Sequence, residues 1–264
     1  MDQLQSAFWA APPVSRTITA LTFIQSALVY SGMLSGYYVV FLPSKMLKLF
    51  VPEIWRLATP FLLTGPQLSF FFDLYFLYHY GTALETSSPR FSQPGDFFIF
   101  VMFVAFNLML TAGFLVGNMI FTSPLIMSFI YIYAQDNRGR KTSFWFIQIP
   151  VEMLPWAMLV VTLVLAGPAA VLSDAMGIVA AHLYDFLTRI YPTFGGGQNF
   201  IYTPAPVRRF LTKYTPNAGT TRPYGSAFNP RTSQPPPSSS SGGWTSSIQN
   251  PWSSRGAGRR LGGD

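Results

Sequence analysis

The residues with the clearest potential for chemistry are a histidine and an acid in the apolar stretch GIVAAHLYDF, residues 177–186. His182 and Asp185 are three positions apart, so a helix places both on one face, where they can pair. An ionisable side chain at membrane depth is costly and is a functional-site hypothesis by default. Two interpretations are open: His182 is a catalytic base, or it bonds a neighbouring helix.

A catalytic base needs a nucleophile within hydrogen-bond reach, and the sequence offers a poor one. Ser123 stands directly before Pro124, which has no backbone N–H to donate to an oxyanion. The chain has no cysteine, which excludes thiolate nucleophiles, disulfides and cysteine metal sites. His79 and His182 are too few and too far apart in sequence for a zinc cluster. We therefore expect no catalytic residue, metal or cofactor.

A rhomboid-type intramembrane serine protease is the specific hydrolase to compare. It pairs a Gly-x-Ser-Gly serine with a histidine in the pattern Ala-His-x-x-Gly-x-x-x-Gly. Ala181 and His182 begin that pattern, but Asp185 and Arg189 stand where the glycines should be. No Gly-x-Ser-Gly occurs in the chain, so this activity is a disfavoured alternative.

Two acids in apolar segments indicate a second class of function. Asp73 stands in FFFDLYFLY and Glu152 in IPVEMLPW, and a proton-coupled transporter would use such groups. The two halves of the chain have no repeat symmetry of the kind that transporters show, so this alternative is also disfavoured. We expect Asp73 to line a water-accessible groove or to bond a neighbouring helix, with Gln148 and Glu152 as further groove candidates.

The composition predicts an all-α membrane protein. The chain of 264 residues is 50% hydrophobic and 10% charged, whereas soluble domains are about 25% charged. A membrane-spanning helix needs roughly 20 mostly apolar residues. The segments of about that length are Ile18–Leu42, Pro60–Tyr80, Phe97–Val116, Met119–Gln135, Ile149–Ala166 and Pro168–Ile190. They predict a six-helix membrane domain over residues 18–190, whose first helix serves as the insertion signal.

The basic residues predict the orientation of this domain. With six spans, all but three of the 17 lysines and arginines share one side with both termini, which indicates that both termini are cytosolic. Residues 1–17 are then a cytosolic segment and residues 191–214 a juxtamembrane segment. Residues 215–264 are rich in serine, proline and glycine and are expected to be a disordered tail. The tail cations are scattered, so we expect no nucleic-acid partner.

Small residues four apart predict close helix packing. In lipid, such ladders let helix backbones approach each other, and homo-oligomerisation is a competing use of the same pattern. The packing candidates are Gly32, Gly36, Gly113, Gly117, Gly177 and Ala181, followed by His182.

The loop over residues 43–59 is amphipathic and is expected to lie in the membrane interface. Trp55 would sit at the headgroup level, and Arg56 would reach polar partners.

Segments spread in order over the membrane domain carry a family resemblance: APPVSR, EIWRLATPFL, LYFLYHYGTALE, PLIMSFIYIYAQDNR, SFWF, AAHLYDFL and YPTFGGGQNFIYTP. On these segments the chain resembles the Derlins, catalytically inactive relatives of rhomboid proteases. It implies a rhomboid-like fold in the endoplasmic reticulum membrane. It also implies a role in endoplasmic-reticulum-associated degradation, which moves misfolded proteins to the cytosol.

The resemblance further implies partners: a membrane RING ubiquitin ligase with its lumenal adaptor, a cytosolic AAA ATPase, misfolded clients and the membrane lipids. Trp55 and Arg56 match the family's Trp-Arg motif, which is thought to shape the bilayer. The end of the tail is similar to the family's ATPase-docking peptide, on residues Trp252, Gly256, Gly258, Arg260, Leu261 and Gly262.

A short helix gives a physical mechanism for such a role. Met119–Gln135 cannot span a full bilayer without local thinning. We therefore expect this helix, the loop at Trp55 and Arg56, and Asp73 to border a groove in a thinned membrane.

Overall fold

The computed structural model describes residues 8–46, 53–144, 147–194 and 201–214. Within these ranges the chain is mostly helical, and a helix of at least 13 residues overlaps each of the six predicted segments. These helices are α1 (Pro13–Tyr30), α2 (Leu68–Ser87), α3 (Asp96–Leu108), α4 (Thr122–Asp136), α5 (Leu154–Ala166) and α6 (Pro168–Asp185). A shorter helix, α7, covers Ala205–Tyr214.

Two helices in the described ranges are long and apolar enough to cross a membrane, by length and composition alone. They are Asp96–Leu115, which contains α3, and Pro168–Phe194, which contains α6. Val151–Ala166 is also apolar but shorter. The full number of spans stays a prediction.

Helix α1 differs from the predicted first span, Ile18–Leu42. It begins at Pro13, since the fixed φ of proline suits a first helical turn, and it ends at Tyr30. Gly32 then takes a φ of +78°, and the Leu34 N–H donates to the Leu28 carbonyl at 2.9 Å. Because this left-handed residue ends the helix, residues beyond Gly32 do not continue it.

Helix α2 is likewise displaced from the predicted second span, Pro60–Tyr80. Residues Thr59–Phe61 form a separate 3-10 turn, and α2 begins only after Pro66 and Gln67, whose φ is +56°. Prolines at positions 60 and 66 explain the break, since a proline interrupts helical hydrogen bonding.

The expectation of an all-α protein is wrong in one place. Strands β1 (Lys141–Phe144) and β2 (Ile147–Pro150) pair as an antiparallel hairpin between α4 and α5. The predicted fifth span, Ile149–Ala166, therefore loses its first residues to β2 and to a 3-10 turn at Val151–Met153. Pro150 and Pro155 favour this late start, because proline is accepted only in a first helical turn.

Helix α4 is the centre of the bundle. It packs against α2, α3, α5 and α6, and ten of its 15 residues are buried. In α5, by contrast, only Leu154 and Pro155 are buried. At about 1.5 Å per residue, α4 is only about 22 Å long, which is shorter than a hydrocarbon core of roughly 30 Å.

The packing candidates divide into two groups. A Cβ built on Gly177 would overlap the Pro124 carbonyl oxygen, and one on Gly113 would lie 2.6 Å from the Phe41 ring. Ala181 is fully buried. These three residues allow close approach.

Gly32 and Gly117 do not act as packing residues. Both have a φ of +78° and nothing within 4 Å of a built Cβ, so their role is to end helices. Gly36 makes an ordinary contact, 3.7 Å from Val29 Cγ1. Spacing alone could not distinguish a helix terminator from a contact residue.

Candidate functional site

A cavity of about 550 Å³ lies among α2, α4, α5 and α6, and we call it the groove. Its lining is largely apolar, with Phe72 from α2, Ile126 and Met127 from α4, and Met158 and Val161 from α5. The polar side chains that line it include two aspartates, Asp73 and Asp174. The groove is therefore an apolar space with acidic spots.

Asp73 reaches the groove from α2. Its Oδ2 accepts a hydrogen bond from the Gly65 N–H at 3.1 Å, in the turn before the helix. A Cβ built on Gly65 would lie 2.8 Å from Ser69 Cβ, so this turn closes tightly over the first turn of α2. The position agrees with the interpretation of Asp73 as a groove residue.

Asp174 lines the groove from α6, and the sequence reasoning missed it. It is 1% exposed and accepts hydrogen bonds from Ser123 Oγ at 2.7 Å and Thr162 Oγ1 at 2.9 Å. One carboxylate thus joins α4, α5 and α6. The signal was available, because an acid in the apolar stretch VLSDAMG is as costly at membrane depth as Asp73.

Ser123 and His182 have different partners. Ser123 bonds Asp174, whereas Nδ1 of His182 shares a hydrogen bond of 2.9 Å with the Tyr131 hydroxyl on α4. Asp174 and His182 are eight residues apart on α6, about 12 Å along the helix axis. These residues therefore form no serine–histidine pair.

The expected pairing of His182 with Asp185 is wrong. Asp185 instead bonds Arg90, from the segment between α2 and α3, and Arg189 at 3.2 Å. Arg90 also bonds Asp136 at the end of α4, at 2.5 Å. Arg90 forms ion pairs with both Asp136 and Asp185, which explains how the charges of two acids with buried side chains are accommodated. The spacing of His182 and Asp185 on one helix gave no indication of these ion pairs.

Glu152 and Gln148 do not line the groove with Asp73. Glu152 Oε1 accepts a hydrogen bond from the Gly139 N–H at 3.2 Å, next to the hairpin. Gln148 lies on β2, opposite Ser143. The hairpin holds both residues near the C-terminal end of α4, whereas the groove borders its N-terminal half. Their grouping with Asp73 is therefore corrected.

Trp55 and Arg56 point in different directions. Arg56 is 0% exposed and donates from Nη1 to the carbonyls of Tyr37 at 2.7 Å and Val40 at 2.6 Å. It also forms an ion pair with Glu53. Trp55 is 47% exposed and donates from Nε1 to the Tyr38 carbonyl at 3.2 Å. Arg56 thus fixes the loop internally, and Trp55 presents its ring outward.

Parts of the predicted interfacial loop, residues 47–52, lie outside the described residues, as does the whole predicted tail with its docking residues.

The comparison with known protein families gives a match to the Der1-like family over residues 11–205. This covers most of the chain. The chain belongs to the Der1-like family. The resemblance to the Derlins is confirmed.

Curated relatives agree with this assignment. The chain is similar to Derlin-1 of Homo sapiens and of Pongo abelii, with 33% identity over 216 residues in each case. These matches cover 80% of this chain and 84% of each relative. Derlin-1 of Arabidopsis thaliana is 28% identical over 212 residues, which is 77% of this chain and 75% of the relative.

Two of the segments that carried the Derlin resemblance meet in the fold of this Der1-like protein. Glu85, at the end of LYFLYHYGTALE, accepts hydrogen bonds from the backbone N–H groups of Val14 at 3.0 Å and Ser15 at 2.7 Å, within APPVSR. A carboxylate from α2 therefore caps the N-terminus of α1, where helix N–H groups lack partners.

Proposed function

We propose that this Der1-like protein is a non-catalytic component of endoplasmic-reticulum-associated degradation. It helps misfolded lumenal and membrane proteins to return to the cytosol by offering them a groove in a locally thinned bilayer. The observation that carries the proposal is the cavity of about 550 Å³ with Asp73 and Asp174 in a largely apolar lining.

The physical task is to carry polar backbone through hydrocarbon. Each unsatisfied peptide group there costs several kcal/mol, so a client needs a path with polar partners or water. Asp73 offers an acceptor for client N–H groups, while Phe72 and Met158 offer surface for apolar side chains. The groove thus suits an unfolded segment better than lipid does.

Bilayer thinning is the second element of the proposal. Helix α4 has 15 residues, and hydrophobic mismatch of a short helix is relieved in part by local thinning. The exposed ring of Trp55 would anchor the first loop at the headgroup level, in a rhomboid-like domain with six spans. A thinner membrane shortens the distance that each client segment must cross.

The remaining parts of the proposal concern location and partners. The protein resides in the endoplasmic reticulum membrane with both termini cytosolic. It works with a membrane RING ubiquitin ligase and its lumenal adaptor, and its tail recruits a cytosolic AAA ATPase that extracts the client. Self-association through small-residue ladders is the competing form of assembly.

Neither alternative function gains support. A protease would need Ser123 and His182 in contact, and these residues bond Asp174 and Tyr131 instead. A transporter that uses Asp73 and Glu152 would need them on one path, and Glu152 bonds Gly139 beside the hairpin.

The test is client degradation in cells that carry the Asp73→Asn protein in place of their own Der1-like protein. We expect slower client turnover, because the amide keeps the shape of the side chain and loses its charge. Glu152→Gln is the matched control and should leave turnover unchanged. Equal turnover with Asp73→Asn and the parent protein would contradict the proposal.

A further inference from the structure

Helix α7 (Ala205–Tyr214) has an apolar face that is only half covered. Val207, Phe210, Leu211 and Tyr214 recur at the spacing of one helix face. Val207 and Leu211 are half-buried, whereas Phe210 is 63% and Tyr214 46% exposed. The two exposed rings contact each other, with centroids 5.2 Å apart.

The covered half of α7 is anchored at the start of α3. Val207 Cγ1 lies 3.3 Å and Leu211 Cδ1 3.4 Å from a Cβ built on Gly95. Thr203 Oγ1 donates to Asp96 Oδ1 at 2.5 Å, just before α7 begins. Asp96 is the first residue of a helix that is long and apolar enough to cross a membrane. Helix α7 therefore lies at the level where that helix would enter the bilayer.

The charges beside the exposed rings have one sign. Residues 201–214 contain Arg208, Arg209 and Lys213 and no acid. Arg208 Nη1 donates to Gln93 Oε1 at 3.4 Å, on the body of the protein. Arg209 and Lys213 are exposed, and at about 100° per residue both lie on the same side of Phe210 around the helix, at roughly 100° and 60° from it. Val207 and Leu211 lie on the other side of Phe210, by roughly 60° and 100°, so the two cations face away from the body and the exposed rings lie between the cations and the covered residues.

We propose that α7 is an interfacial helix that binds anionic lipid headgroups of the leaflet at this end of α3. Phe210 and Tyr214 insert at the headgroup boundary, and Arg209 and Lys213 contact lipid phosphates. Aromatic residues beside basic ones are the composition of helices that lie in a membrane interface. A protein partner fits less well, because two rings are far below the roughly 800 Å² per partner of a stable protein interface.

The cysteine-free chain allows a direct test with a single spin label. Phe210→Cys and Thr212→Cys are labelled with a nitroxide in the full chain, reconstituted in nanodiscs of phosphatidylcholine and phosphatidylserine. Thr212 is the matched control, since it is exposed and about 160° from Phe210 around the helix. We expect the label at 210 to favour oxygen over a water-soluble nickel chelate and the label at 212 to show the reverse. The opposite order would overturn the proposal.

The charges are tested in the labelled Phe210→Cys protein. Adding Arg209→Gln and Lys213→Gln should lower the ratio of lipid-seated to water-facing label by about 30-fold, because each cation near an anionic surface contributes about fivefold. In nanodiscs of phosphatidylcholine alone the same changes should have little effect. An equal effect in both compositions would overturn the role of anionic lipid. Dipolar broadening between labels at 210 would overturn the whole proposal, because it would show that a second copy of the chain, and not lipid, covers the exposed rings.

Discussion

Ser123 on α4 donates a hydrogen bond of 2.7 Å to Asp174 on α6. Thr162 on α5 donates to the other carboxylate oxygen at 2.9 Å, so three helices meet at one acid on the wall of the groove. A buried carboxylate is tolerated when such donors satisfy it. The hydroxyl that a protease would use as its nucleophile therefore stabilises the groove.

This arrangement predicts the effect of Ser123→Ala. The change removes a hydrogen bond to a charged group, so the free energy of unfolding should fall by about 1.5–3 kcal/mol. Thermal unfolding of the purified protein measures the loss. Ser128→Ala is the control, because that buried hydroxyl bonds within α4 and its loss should lower the free energy of unfolding less.

A fluorophosphonate serine probe should not label the parent protein. Labelling that Ser123→Ala abolishes would restore the protease interpretation.

The first loop gives a prediction that separates folding from membrane contact. Arg56→Ala leaves Glu53 and two carbonyls without their partner, so we expect a loss of about 2–4 kcal/mol in unfolding free energy. Trp55→Ala removes an exposed ring and should change thermal stability little. Both variants should slow client degradation, the first through instability and the second through lost anchoring. An Arg56→Ala protein with the parent's thermal stability would contradict the role of the buried Arg56 side chain in holding the loop together.

The contact between α4 and α6 predicts how much stability the protein loses when one methyl group is added at Gly177. Gly177→Ala places a Cβ against the Pro124 carbonyl, so the backbones must separate, at a cost of about 1–3 kcal/mol. Gly36→Ala is the matched control, since its Cβ would meet only Val29 Cγ1 at 3.7 Å. Comparison of the two melting temperatures in one detergent measures the difference. Equal temperatures would show that the helices can move apart freely.

The tail prediction concerns residues beyond the described ranges. Deletion of residues 252–264 should abolish co-purification of the AAA ATPase and leave the melting temperature of the membrane domain unchanged. Leu261→Ala, with its neighbours kept, should weaken the same interaction. Undiminished co-purification after the deletion would exclude this segment as the docking peptide.

Local patterns in the sequence predicted the helices better than their ends. Apolar length located the long helix Asp96–Leu115, which contains α3, within one residue at each end, because no proline interrupts it. Gly32, which shares its four-residue spacing with true packing residues, turned out to end α1. Its role depends on a local φ that the spacing does not encode.

Long-range pairings were the part that could not be predicted. Glu85 caps α1 across about 70 positions of sequence, and Arg90 bonds Asp185 across 95. Each pairing depends on how the helices pack, so no single segment contains its signal. Asp174 is the opposite case, because it is an acid in an apolar stretch of the sequence, as Asp73 is.

The groove itself is tested most directly by crosslinking to a client. Since the chain has no cysteine, single cysteines can be placed at Phe72 and Met158 in the groove and at Val164, a 78% exposed position on α5 outside it. In membranes that contain a misfolded client with one cysteine in its translocating segment, we expect crosslinks at 72 and 158 and none at 164. Crosslinks at 164 alone, or at all three positions equally, would contradict a client path through the groove.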